Sequence, residues 1–98
     1  MAAPEVWVAK DDGSDIVRAG AITAVIRDYN GTVAIRLAGD GSAVTLVAVA
    51  PHEGRHTPGD FHRQLIRVVA QLADAAGAAV VRPAWDEAQG WNWVIDPL

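Results

Sequence analysis

Apolar and polar residues alternate along the first half of the chain, in short runs separated by turn-forming residues. Such alternation is typical of strands that bury one face. The sequence Asn30-Gly31 favours a tight hairpin turn, because both residues tolerate positive φ. The pattern therefore predicts a four-stranded antiparallel β-meander. Its predicted strands are residues 5–9, 16–29, 32–38 and 43–50.

The loop lengths also predict how the strands pair. A two-residue loop at Asn30-Gly31 would place Ile26 opposite Ile35, and the next loop would place Ile35 opposite Leu46. Because strand side chains alternate between faces, both pairings turn the same face of the third strand inward. In the long second run the inward positions change parity near Gly20, which favours a β-bulge there.

The chain changes to helical spacing after residue 57. Thr57 is the predicted N-cap, Pro58 and Asp60 suit the first turn, and Gly77 suits the C-terminal end. The spacing predicts that one apolar stripe packs on the inward face of the sheet. The stripe consists of Phe61, Leu65, Val68 and Leu72, widened by Ile66, Val69 and Ala73.

After the helix, residues 78–82 form an apolar run that Pro83 either ends or marks as an edge strand, and residues 91–95 alternate again. The predicted order is four strands, one helix and a C-terminal strand or hairpin. The sequence thus predicts an α+β fold in which one helix packs on one face of the meander. Residues 1–98 are expected to form a single domain of this class.

Charge and composition narrow the possible functions. The net charge of −4 and the pI of about 5.1 argue against nucleic acid and anionic membranes as partners. Cysteine is absent, which excludes thiol chemistry, and no apolar run is long enough for a membrane span. We therefore expect a cytoplasmic protein, and the excess of arginine over lysine indicates a bacterial one.

The tryptophans are the most unusual feature, with four in 98 residues. Trp7 should lie on the sheet face away from the helix, opposite Arg18 and close enough for a cation–π contact. These tryptophans either complete the core or form an exposed surface for a partner. The predicted interface residues are Trp7, Arg18, Tyr29, Trp85, Trp91 and Trp93.

A second candidate site surrounds the predicted start of the helix. Arg55, His56, His62 and Arg63 could hold an anion there, because helix N-termini attract negative charge. His52 lies near His56 and His62, but no HExxH spacing fixes them on a helix, so we expect no metal site. No cofactor motif is present either, and no catalytic residue is assigned.

The leading hypothesis is a non-enzymatic binding module that self-associates as a homodimer or binds a protein partner. One alternative is a small-molecule or anion site at Arg55–Arg63, either a binding site alone or an enzymatic site assisted by a metal. Another is an acidic toxin-neutralising protein, in the manner of an immunity protein or antitoxin. The sequence leaves all three open.

Overall fold

The computed structural model of the protein describes residues 5–49, 54–74 and 77–98. These residues form two antiparallel-dominated sheets and a helix, so the predicted α+β class is confirmed. The strands are β1 (Val6–Ala9), β2 (Ile16–Arg18), β3 (Ile22–Arg27), β4 (Val33–Leu37), β5 (Ala43–Val47), β6 (Ala79–Asp86) and β7 (Gly90–Pro97). The helix is α1 (Phe61–Ala73).

The expected four-stranded meander is divided between two sheets. The first sheet has the order β2-β1-β6-β7, and the second has the order β3-β4-β5. The division occurs at Ala19–Ala21, where the chain forms a short 3-10 turn, and the irregularity expected near Gly20 falls just after it, between Ile22 and Ala24 of β3. Three small residues without a branched side chain favour extended structure weakly, so the long run breaks there. Strand β1 then pairs in parallel with the distant β6.

The order of elements around the helix is otherwise as predicted. Strands β1 and β2 pair antiparallel, with Trp7 opposite Arg18, and β6 and β7 form the C-terminal hairpin. The hairpin widens the first sheet by adding two strands next to β1. It therefore does not lie across the sheet face that carries Trp7.

The register of the second sheet differs from the prediction by one residue at its first turn. Val25, and not Ile26, lies opposite Ile35. The turn is longer than two residues because Asp28 Oδ1 accepts hydrogen bonds from the Asn30 and Thr32 amides, at 2.9 and 3.0 Å. Val25 consequently packs against the core, whereas Ile26 is exposed.

The pairing of β4 with β5 is also shifted. Ile35 lies opposite Val44 and not Leu46, and the register slips between Val33 and Ala34. This irregularity lets the consecutive residues Leu46 and Val47 both be buried. The expected inward face of β4 is nevertheless correct.

The helix begins later than predicted, and Thr57 is not its N-cap. The N-cap is Asp60, which makes no side-chain capping bond. Thr57 is buried, and its hydroxyl donates to the Gly31 carbonyl at 2.6 Å and accepts from Arg27 Nε at 3.1 Å. Because the Thr57 hydroxyl makes these tertiary hydrogen bonds, it does not cap the backbone N–H groups of the helix.

Pro83 does not end its strand, because β6 continues to Asp86. The parallel pairing with β1 ends at Val81, so the missing N–H of Pro83 falls where β6 has no partner on that side. On its other side Pro83 lies opposite Trp93 of β7. Proline is tolerated here for the same reason that it is tolerated in edge strands.

One core lies where α1 and the inner faces of both sheets meet. The core contains residues from strands that are far apart in sequence. The helix α1 contacts β1, β3, β6 and β7. No described helix is long and apolar enough to cross a membrane. The core side chains that are 1% exposed or less are Val8, Val33, Ile35, Leu46, Val47, Phe61, Leu65 and Val81.

Candidate functional site

The β6–β7 hairpin carries three tryptophans on the side that packs against α1. Trp85 and Trp91 lie opposite each other, and their rings meet edge to face with centroids 5.8 Å apart. Trp93 stacks on Phe61 at 4.4 Å, and its indole N–H donates to the Phe61 carbonyl at 2.9 Å. These contacts fasten the first residue of α1 to β7, so Trp93 has a structural role.

Arg55 connects the segment before α1 to the same hairpin through three contacts. Its guanidinium carbon lies 5.1 Å from the centre of the Trp85 ring, within the range of a cation–π contact. Its Nη2 lies 3.7 Å from Glu87 Oε1, and its carbonyl accepts the Trp91 indole N–H at 2.8 Å. The Arg55 side chain is about half exposed, so these interactions are partly screened by solvent.

The other residues predicted to bind an anion face different surroundings. His56 Nδ1 lies 3.3 Å from the Asn30 carbonyl. His62 is partly buried, and its Nδ1 has no hydrogen-bond partner among the described residues, whereas Arg63 is exposed. Within the described residues, no hydrogen bond or salt bridge joins any two of Arg55, His56, His62 and Arg63.

The described residues offer no cluster of three or more potential metal ligands. His52 and Glu53 belong to the histidine-rich stretch and lie outside the described residues. Asp60, the carboxylate nearest the start of α1, accepts a hydrogen bond from the Gln64 side chain at 3.0 Å. No described residue is therefore assigned to a metal or a cofactor.

The predicted interface residues lie in three separate places. Trp7 and Arg18 lie on the sheet face away from the core, with the Arg18 guanidinium carbon 5.1 Å from the Trp7 ring centre. Arg18 also approaches Glu5 at 3.8 Å. The three other tryptophans belong to the hairpin, and Tyr29 projects from the β3–β4 turn with 94% of its surface exposed. The structure thus brings together only parts of the predicted surface.

A further surface lies between β3 and α1, where a groove of about 380 Å³ is open to solvent. Four consecutive residues of β3 line one wall, and one side of α1 lines the other. No residue of β4 lines the groove, so it lies on the side of β3 away from β4, where the register of β3 is irregular between Ile22 and Ala24. The lining residues are Ile22, Thr23, Ala24 and Val25, together with Ala19, Leu65, Ile66, Val69, Ala70 and Ala73.

The free edge of β3 faces this groove. Strand β3 is the first strand of the second sheet and pairs only with β4 among the described strands. Ile66 is 56% exposed at the other wall, and Ala70 and Ala73 are exposed beside it. An unpaired strand edge and an exposed apolar helix side thus face the same space.

The groove continues toward the first sheet. A second cavity of about 420 Å³ shares Ala19, Val69 and Ala73 with it and extends to Arg18 and Glu5. The part lined by α1 runs from Leu65 to Ala73, which corresponds to about 12 Å of helix. About four residues of extended chain have the same length.

The groove is not among the features predicted from the sequence. Ile66 and Ala73 belong to the apolar stripe that was predicted to face the sheet, whereas both are exposed in the structure. The signal was the width of that stripe: Ile66, Ala70 and Ala73 recur at spacings of four and three, which defines an apolar side beside the core stripe. The edge position of β3 could not be read from the sequence, because it depends on which strands pair.

Comparison with protein families, with curated proteins and with solved structures finds no match to this chain.

Proposed function

We propose that this protein is a non-enzymatic interaction module that binds an extended segment of another chain in the groove between β3 and α1. The observation that carries the proposal is that four consecutive β3 residues and one side of α1 line the same apolar groove. A bound segment would add a strand beside β3. Its backbone would pair with the strand edge, and alternate side chains would enter the groove.

The chemistry of the lining supports binding more than catalysis. Nine of the ten residues around the groove between β3 and α1 are apolar, and the other is Thr23. No acid, base or nucleophile pair occurs among them, which general acid–base or covalent catalysis would require. The proposed binding therefore needs no cofactor. The proposal also places the protein in the cytoplasm of a bacterium.

Self-association through this edge is a less suitable form of the same proposal. Strand β3 of a second copy would approach with its own α1 on the same side, because α1 lies along β3 in each copy. A free segment brings no such helix and fits beside β3 alone. A homodimer, if this protein forms one, would then use another surface, such as the one that carries Trp7 and Arg18. The anion-site and toxin-neutralising alternatives gain no support from the contacts described above.

The proposal can be tested with a displayed library of short random peptides and two matched variants. Ala70→Trp would fill the groove, and Gln71→Trp would place the same side chain on an exposed position outside its lining. We expect peptides selected on the unmodified protein to lose at least about tenfold in affinity for Ala70→Trp. Binding to Gln71→Trp should be unchanged, and circular dichroism should be the same for both variants.

Amide hydrogen exchange then locates the bound peptide. Strand addition should slow the exchange of those amides in residues 22–25 that point away from β4, because a second strand would occupy the free edge. Failure to select any peptide would contradict the proposal. So would equal loss of binding in both variants, or protection confined to the Trp7 and Arg18 face.

A further inference from the structure

Basic side chains border the end of the groove formed by the first half of α1. Arg63 precedes Ile66 by three residues, and Arg67 precedes Ala70 by three, so both lie next to groove residues on the helix surface. Both arginines are exposed and make no salt bridge within the described residues. The helix contains no aspartate or glutamate from Phe61 to Ala73.

The charge at this end is opposite in sign to that of the whole chain, which is −4. One carboxylate at this end, Asp60, precedes Arg63 by three residues and accepts a hydrogen bond from the Gln64 side chain, and two further carboxylates lie toward the other end of the groove. There Glu5 contacts Arg18 at 3.8 Å, and Asp74 follows the last residue of α1. The Ile66 end therefore has an excess of positive charge, with Arg63 and Arg67 against Asp60, and the Ala73 end is mixed in charge.

We infer that the partner is an extended acidic peptide whose apolar side chains enter the groove and whose carboxylates meet Arg63 and Arg67. This inference rests on the proposed function, because it identifies the chemistry of the segment added beside β3. In an extended chain, alternate side chains point the same way. The set between the groove residues would point away from α1, so the carboxylates that meet Arg63 and Arg67 belong to the end of the peptide that passes the Ile66 end of the groove.

Three short peptides of equal length test the inference. In each, a central segment that alternates valine and threonine carries two glutamate, two threonine or two lysine residues at both ends, and fluorescence anisotropy measures the affinity at low and high salt. We expect the glutamate peptide to bind about fivefold tighter than the threonine peptide, since two exposed ion pairs contribute that much together. The lysine peptide should bind weakest, and high salt should bring the three affinities together.

Two double variants that remove the same charge test whether the preference for the glutamate peptide depends on Arg63 and Arg67. Arg63→Gln with Arg67→Gln should abolish the preference for glutamate and leave binding of the threonine peptide unchanged. Lys10→Gln with Arg36→Gln removes the same charge from positions outside the groove lining and should retain the preference. Ala70→Trp should weaken binding of all three peptides.

The possible failures are distinguishable. If the glutamate and threonine peptides bind equally and Ala70→Trp weakens both, the charge inference is wrong and the proposed function stands. If the glutamate peptide binds but is insensitive to Ala70→Trp, the charge acts elsewhere and the inference is wrong. If none of the three peptides binds, the inference and the proposed function fail together.

Discussion

At the residue scale, Gly31 is the described glycine with the least room for a side chain. Its φ is +96°, and an added Cβ would lie 3.0 Å from Thr57 Oγ1 and 3.3 Å from the Thr57 amide nitrogen. Glycine adopts this backbone conformation without steric cost, and here it also allows the Thr57 hydroxyl to approach. The β3–β4 turn and the segment before α1 can meet only because Gly31 has no side chain.

We predict that Gly31→Ala destabilises the protein by about 3 kcal/mol, because unfavourable φ and crowding against Thr57 add together. Gly41→Ala is the matched control. Its φ is +77°, but no atom lies within 4 Å of an added Cβ, so it should cost only about 1 kcal/mol. Urea denaturation measures both values. Equal costs for the two variants would contradict the role assigned to Thr57.

Two aspartates at exposed turns link stability to pH. Ser14 lowers the pKa of Asp12 by donating its hydroxyl and amide to the carboxylate, and Ser42 lowers the pKa of Asp40 in the same way. A carboxyl whose pKa is lower in the folded state stabilises that state above its ordinary pKa. The stabilisation disappears as the pH falls through the lowered value.

We therefore predict that carbon-detected NMR titration finds both carboxyl pKa values below the ordinary value of 3.8. Ser14→Ala and Ser42→Ala should each raise the pKa of the neighbouring aspartate toward that value. The double variant should also lose less stability on acidification than the unmodified protein. An unchanged aspartate pKa in either serine variant would show that the hydroxyl contributes nothing.

At the element scale, the β6–β7 hairpin positions α1. Trp93 contributes both a stacked ring and an indole hydrogen bond to Phe61, the first residue of the helix. Thr57 and Arg55 attach the segment before the helix to other elements, by way of Gly31 and Trp85. These contacts hold the start of α1, which has no side-chain cap of its own.

We predict that Trp93→Phe costs about 1 kcal/mol, because the ring remains and one hydrogen bond is lost. Trp93→Ala should cost about 3 kcal/mol, because the stacking on Phe61 is lost as well. Trp7→Phe is the control, since the Trp7 indole N–H is buried without a partner among the described residues. Thermal unfolding should show a smaller cost for Trp7→Phe than for Trp93→Phe, and the reverse order would contradict this assignment.

At the scale of the whole molecule, the two sheets share one core. All four tryptophans lie in the first sheet, whereas Leu46 belongs to the second sheet and is completely buried. Tryptophan fluorescence therefore reports on the first sheet. A change at Leu46 perturbs the second sheet directly and reaches the first through the shared core.

We predict that Leu46→Ala destabilises the protein by about 2–5 kcal/mol, through the cavity that it leaves. The urea transitions measured by tryptophan fluorescence and by far-ultraviolet circular dichroism should shift together. Thr45→Ala is the control, because Thr45 is an exposed neighbour on the same strand. A shift seen by circular dichroism alone would mean that the sheets unfold separately.

Local features of the sequence determined much of this fold. The pairing of Trp7 with Arg18, the helical stripe around Leu65 and the C-terminal hairpin all depend on residues close together in the chain. Their periodicity and turn residues are sufficient to predict them. The candidate ligand and interface residues were found in the same way, by residue type and proximity in sequence, and the structure distributes them over several separate places.

Tertiary structure alone decided which strands share a sheet and where the groove lies. Strand β1 pairs with β6 across most of the chain, which leaves β3 at an edge beside α1. The same contacts give Thr57 a buried partner and place Pro83 where no N–H is required. These outcomes depend on the free energy of contacts between residues that are far apart in sequence. Periodicity indicates only which face of its own segment each side chain lies on.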